Sequence, residues 1–263
     1  MTDEIRALFS LDGDGYVPTD FARGPWNPEN LHGGPVAALL AREAQRCGTD
    51  GAMEVARLTV ELLRPVTMHP LSLEVRVARP GRKVQLVDVT ARQDGRDVAQ
   101  ARMLRIRTEE LALPESVPEE RCTFSGPEDV PAPRLGPRPR SFHTEGAELR
   151  FLEGSFGRPG PAVVWIRLRH PVVAGEEPSP LERVVAAADF VNGVGPALPF
   201  GAWQFINPDL TVHLNRPAIG PWVAVEARMY PQPNGIAFAE SRLWDVGGPI
   251  GRAVQSLLVE RLS

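Results

Sequence analysis

The chain has 263 residues and a formal net charge of −4, with 43% hydrophobic and 24% charged residues. Those proportions fit a soluble globular protein able to bury a real core, and no apolar run is long enough to span a bilayer. An acidic balance without Lys or Arg clusters argues against a nucleic-acid surface.

The opening MTDEIRALFS lacks the basic-then-apolar plan of a signal peptide. ALFSLDGDGYVPT follows as strand-like material around a turn. HGGPVAALLAREAQR then predicts a helix, with Pro35 suited to its first turn. Cys47 follows; it and Cys122 are far apart without CxxC spacing, which reads as the reduced thiols of a cytoplasmic protein.

Next comes LTVELLRPV, Leu58 to Val66, and much later LTVHLNRPA, Leu210 to Ala218, with six of the first eight positions identical. So close a match between complex segments indicates an internal duplication. Each copy is followed by three alternating runs separated by turn signals, ARPGRK and QDGRD in one case, YPQPNG and DVGGP in the other. Each therefore starts an antiparallel meander. Upstream of the second meander, LRFLEGSF and PAVVWIRLRH read as strands. SPLERVVAAADFVNG reads as a helix with a Ser179/Glu182 capping box, Pro180 at its first position and Asn192-Gly193 as its stop. Prolines and charges gather between the copies, so the expected organisation is an N-terminal repeat over 1–108, a Pro-rich extended linker over 109–146 and a C-terminal repeat over 147–263.

The five histidines, His32, His69, His143, His170 and His213, form no close ligand pair, so no metal is expected. GxGxxG, GxxxxGK[ST] and GxSxG are absent, which removes the usual signals for a phosphate cradle and a serine nucleophile, and no cofactor is expected.

One helix per half, wrapped by an antiparallel meander, resembles the double-hotdog architecture, an α+β fold. GPWNPENLHGGPVAALLAR, FINPDLTVHLNRP and AVQSLLVE resemble segments of the double-hotdog acyl-CoA thioesterase superfamily. The likeness is closest to actinobacterial-type thioesterase-like proteins and more distant to acyl-CoA thioesterase II. It covers nearly the whole chain apart from the linker. In acyl-CoA thioesterase II an aspartate on the second helix, a threonine on the following strand and a glutamine on the last strand hold the catalytic water. The resemblance carries the aspartate onto Asp189 and the glutamine onto Gln255. The threonine position falls on Asn207, a departure, with Thr211 two alternations further along. The resemblance also implies a homodimer or higher homo-oligomer and an acyl-CoA or acyl-carrier thioester as partner.

The residues support part of this independently. Asp189 shares a helix face with Leu181 and Val185, near a helix C-terminus where negative charge is disfavoured; such an acid is expensive unless used or paired. A turn aspartate bonding Asn192 or Gly193 is the plain alternative. The duplication sets Asp189 against Leu40 and Asn207 against Val55. Polar groups replacing apolar ones in a single copy point to one asymmetric site. Gln255 alternates with Ala253, Leu257 and Val259, which aims it at the helix; Gln100 in the other copy favours a structural amide instead. Asn207, Asp209, Thr211 and His213 share one parity and form a polar strand face. Thr211 has a twin in Thr59. His213 as a base lacks an orienting group. His32, Gly33 and Gly34 precede the first helix, where the glycine amides suit a thioester oxyanion, although the glycines also fit close helix packing. Trp26 is a candidate wall for an acyl pocket.

Three functions follow. The first is thioester hydrolysis by a water that Asp189 activates. The second, motivated by the missing threonine, is a non-catalytic acyl-thioester binder or pathway accessory. The third, a hydratase or dehydratase, needs an Asp/His pair, and the segment around Asp189 carries no histidine.

Overall fold

In the computed structural model, residues 6–48, 51–132 and 138–262 are described. A short hairpin, β1 (Phe9–Asp12) and β2 (Gly15–Pro18), precedes α1 (Gly33–Arg46), which the capping His32 starts. Then come β3 (Met53–Leu62), β4 (Ser72–Arg79), β5 (Val84–Gln93) and β6 (Arg96–Arg107). After the linker follow β7 (Ala147–Glu153), β8 (Ala162–Leu168), α2 (Pro180–Ala188) and the single turn α3 (Val191–Val194). The chain closes with β9 (Trp203–Ile206), β10 (Asp209–Leu214), β11 (Val223–Pro231), β12 (Ile236–Asp245) and β13 (Gly248–Arg261).

The local reasons are those of the sequence. Ser179 and Glu182 make the reciprocal capping bonds, with Pro180 at the first position of α2. Asp94 and Gly95, at φ 49° and 74°, form the tight β5–β6 turn that an Asp-Gly pair favours. The second helix ends earlier than its Asn192-Gly193 signal: α2 stops at Ala188, and those two residues fall inside α3.

Eleven strands form one antiparallel sheet in the order β4-β5-β6-β3-β10-β13-β12-β11-β8-β7, with β9 pairing β13 beyond the end of β10. The central joint is the pairing of the repeated segments themselves. Leu210, Thr211 and Val212 face Val60, Thr59 and Leu58, and the two threonine hydroxyls lie 3.3 Å apart. The edges left open by two meanders are closed on each other there.

One sheet face packs on α1 and α2, and its inward residues, such as Val87, Val89, Met103, Leu210, Ala253 and Leu257, are buried. Each fully buried Val or Leu contributes roughly 1.5–3 kcal/mol. The helices touch each other closely: a Cβ on Gly34 would lie 2.8 Å from the Ala186 carbonyl oxygen. On the other face, linker residues Cys122, Phe124 and Val130 cover Trp165, Trp222 and Trp244. Trp165 Nε1 donates to the Ser125 carbonyl at 2.9 Å. The linker has no α-helix among its described residues, only single turns at Pro127–Asp129 and Phe142–Gly146.

Candidate active site

Asp189 follows α2 as its cap, and only 3% of it is exposed. Oδ1 accepts from Asn207 Nδ2 at 2.9 Å and from Gln255 Nε2 at 3.0 Å. Oδ2 lies 2.8 Å from His32 Nδ1. The carboxylate rests so closely on Gly33 that a Cβ there would come within 2.8 Å of Oδ2 and 2.9 Å of Oδ1. Space therefore requires this glycine. The same contact resolves the electrostatic problem: the C-terminal end of α2 disfavours the charge, but the carboxylate sits against the positive start of the longer α1.

Nδ1 of His32 has one in-plane position, and two groups compete for it: Asp189 Oδ2 at 2.8 Å and the Gly34 amide, which points at it from 3.1 Å. The carboxylate contact is shorter and charge-assisted, hence stronger. With Nδ1 donating to Asp189, the Gly34 amide still points at that nitrogen but finds no lone pair there to accept it. Among the described residues, His32 Nε2 has no hydrogen-bond partner.

Asn207 reaches Asp189 through a break in the strand. Before Pro208 the odd position Phe205 points inward, whereas after it the even positions Leu210 and Val212 do. From Val254 to Leu258 is four steps along β13, yet the facing chain takes five, from Thr211 to Ile206. The extra residue is a bulge-like phase shift. Its consequence corrects the single polar face expected over Asn207, Asp209, Thr211 and His213. Asn207 turns in, held also by Asn192 Nδ2, which donates to its Oδ1 at 3.3 Å. Thr211 faces away from the helices, on Thr59, and does not join Asp189. His213 is exposed on that outward face.

Gln255 is fully buried and inward, with Ala253, Leu257 and Val259. Its Oε1 is buried without a hydrogen-bond partner among the described residues. Gln100 is no counterpart, because it lies on the face opposite the buried Ala99 and Ala101. The inward amide at this strand position therefore exists in one copy only. Leu40, opposite Asp189 in the duplication, is fully buried.

A cavity of about 940 Å³ opens over this cluster, lined by His32, Gly33, Asp189 and Asn207 and walled by Trp26 and Phe200. Those two rings stack at 5.6 Å, and Phe205 meets Trp26 edge-on. The size is within the usual range for small-molecule sites.

His143 also lines the cavity, a position that nothing in its Pro-rich surroundings signalled. Its ring stacks on Phe156 at 5.6 Å, and its Nδ1 lies 3.0 Å from Ser141 Oγ. Burial, then the nearby His32 and Arg138, push its pKa down to about 4. The Asp/His pair judged missing near Asp189 exists after all: the histidine comes from the start of the other helix. Among the described residues no group of His, Cys, Asp and Glu could hold a metal. No helix among them is long and apolar enough to cross a membrane.

Similar proteins carry this fold. A hot dog fold protein from Alicyclobacillus acidocaldarius superposes with a TM-score of 0.72 at 20% identity, covering 97% of this chain and 96% of that one. A candidate thioesterase from Novosphingobium aromaticivorans gives 0.73 at 22% identity, covering 95% and 98%. Acyl-CoA thioesterase II from Mycobacterium marinum gives 0.66 at 17% identity, covering 96% and 95%. At these identities the likeness shows the hot dog fold, within the α+β class. No curated protein sequence matches significantly. Two family models do match: the acyl-CoA thioesterase N-terminal domain over residues 22–106 and the acyl-CoA thioesterase C-terminal domain over residues 119–259. The chain belongs to the acyl-CoA thioesterase family.

Proposed function

We propose that this chain hydrolyses acyl-CoA or acyl-carrier thioesters with a water activated at Asp189. The observation that carries the reading is the buried carboxylate fixed by Asn207, Gln255 and His32 on the wall of an aromatic-lined cavity. Amide hydrogens only donate, so both amides turn Oδ1 into a fixed acceptor and hold the carboxylate's orientation. Gln255 acts from behind the carboxylate as a positioning residue, and its free Oε1 suits the hydrogen of a buried water. With the Gly34 amide pointing at His32 Nδ1, the Gly33 amide is the donor left for the thioester oxyanion. Trp26 walls the acyl group.

The arrangement is best read as a double hotdog in which 1–108 and 147–263 are repeats joined by 109–146. The threonine-to-threonine pairing of the duplicated segments and the two successive domain matches support two repeats in succession; the second match starts at residue 119, inside the linker. One site per chain follows, because Asp189 and Gln255 come from one copy and His32 and Gly33 from the other. Unpaired Cys47 and Cys122 accord with the reducing cytoplasm. A homodimer or larger assembly would bury exposed apolar residues of the outer sheet face, including Ile236, Phe238 and Leu258; sedimentation at increasing concentration measures it.

The test is thiol release from acyl-CoAs of increasing chain length. Asp189→Asn, still folded, should lose at least about a hundredfold in turnover. Wild-type turnover in that variant removes Asp189 as the acid-base centre. A second reading gains from the His32–Asp189 pair, which supplies the proton-transfer couple that hydration of an enoyl thioester needs. Loss of enoyl-CoA absorbance without thiol release would select it. Saturable acyl-CoA binding with neither reaction would select the accessory role.

A further inference from the structure

Granting hydrolysis at Asp189, we infer that His32 is a catalytic residue: its Nε2 takes the proton of the attacking water, and Asp189 serves as the partner that orients and balances the imidazole. The carboxylate lines the cavity with little of its own surface, so it acts on the attacking water through the imidazole. It is 3% exposed, Oδ1 is held by two amides, and Oδ2 faces Nδ1. His32 lines the cavity, and in an imidazole the two nitrogens point in opposite directions. With the Nδ1 proton directed at Asp189, the Nε2 lone pair faces away from the carboxylate, and Nε2 has no hydrogen-bond partner among the described residues. Phe142, edge-on at 5.0 Å, and Phe190, tilted at 5.0 Å, fix the ring plane.

The chemistry balances. Water oxygen attacks the thioester carbon as its proton passes to Nε2, and the carbonyl oxygen becomes the oxyanion. Collapse breaks the carbon–sulfur bond, and the leaving thiolate takes the proton back from Nε2. The products are a carboxylic acid and a thiol, with the imidazole returned to its starting form. A carboxylate holding the base in one tautomer is the logic of nucleophile-activating triads, applied here to water.

Among the described residues, four other charged or titratable groups line the cavity with His32: Asp189, His143, Arg138 and Arg64. Asp189 comes from the end of α2, His143 from the turn at Phe142–Gly146, and Arg138 lines the same cavity from the linker. His143 is no substitute base: among the described residues no carboxylate pairs with it, its ring is packed on Phe156, and at about 4 its pKa leaves it weakly basic near neutral pH.

The experiment uses the full chain with an acyl-CoA that wild type hydrolyses. His32→Asn keeps a good helix cap but cannot exchange a proton; His32→Gln is the second variant should the first fail to fold. The expected result is a fall in kcat of at least about a hundredfold with KM changed less than about threefold. The acidic limb of the kcat profile should vanish in the folded variant, and added imidazole should restore part of the rate of His32→Ala. A kcat within about threefold of wild type, or an acidic limb retained unchanged, overturns the assignment of His32 while leaving hydrolysis intact. Absence of wild-type turnover on every acyl-CoA and acyl-carrier thioester overturns both.

Discussion

Gly33 and the Asp189 carboxylate occupy adjoining space so fully that no side chain fits between them: an added Cβ would lie 2.8 and 2.9 Å from the two oxygens. Both distances are below ordinary van der Waals contact, and the carboxylate is tied to three donors. Gly33→Ala should therefore displace the carboxylate rather than bend a flexible tip. A loss of about 1–3 kcal/mol in stability is expected, with kcat down at least about tenfold because the donors lose their geometry. Urea unfolding alongside steady-state kinetics measures both, and an unchanged kcat would contradict the packing argument.

Asn207→Ala removes one of two amide donors to Oδ1 and leaves the Asn192 amide without its acceptor. The expected cost is about 1–2 kcal/mol in stability and about a tenfold fall in kcat. Asn207→Thr should not recover it, since the shorter hydroxyl does not span the 2.9 Å bond from the same backbone position. A threonine variant faster than wild type would show that the water is held differently.

His143 makes stability fall on mild acidification. Above the unfolded value of about 6.5 both states are neutral at this residue. As pH drops below it, the unfolded chain binds a proton that folded His143 resists until about pH 4. Stability is therefore full above the unfolded value, declines across that window by about 3 kcal/mol from this residue, and levels off below it. His143→Phe should flatten this part of the urea-midpoint profile between pH 7 and 5. An identical slope in the variant would assign the dependence to other groups.

Phe124, in the linker, meets Trp165 and Trp244 edge-on at 5.7 and 5.6 Å on the face away from the cavity. Phe124→Ala should cost about 2 kcal/mol, less than a fully buried phenylalanine because Phe124 is only partly covered. Tryptophan emission should shift to longer wavelength while kcat stays within about twofold. Fluorescence and thiol release on one preparation decide it.

Much of the fold could be read from the sequence because its signals are local. Alternation located the strands, and Ser179-Pro180 with Glu182 located the start of α2. The duplication, by setting Leu40 and Val55 against Asp189 and Asn207, already isolated the polar residues that come together. What escaped depends on contacts between distant segments. His32 stands next to Asp189 only because two helices pack start to end. Thr211 was misplaced because counting by twos through Pro208 ignores the extra residue there. Gln100 looked like a twin of Gln255 until the faces of β6 and β13 were compared. His143 lies in a stretch whose composition describes a connector, yet its ring closes one side of the cavity.

The Thr59–Thr211 joint has a bearing on how such a site arises. In an assembly of two identical half-length chains, every substitution appears on both sides of the joint, so an aspartate at one helix end imposes a second at the other. A single continuous chain escapes that obligation. Leucine at position 40 and aspartate at position 189 are the mark of this freedom: one copy keeps a fully buried leucine within its helix, and the other is released to carry a carboxylate where its helix ends.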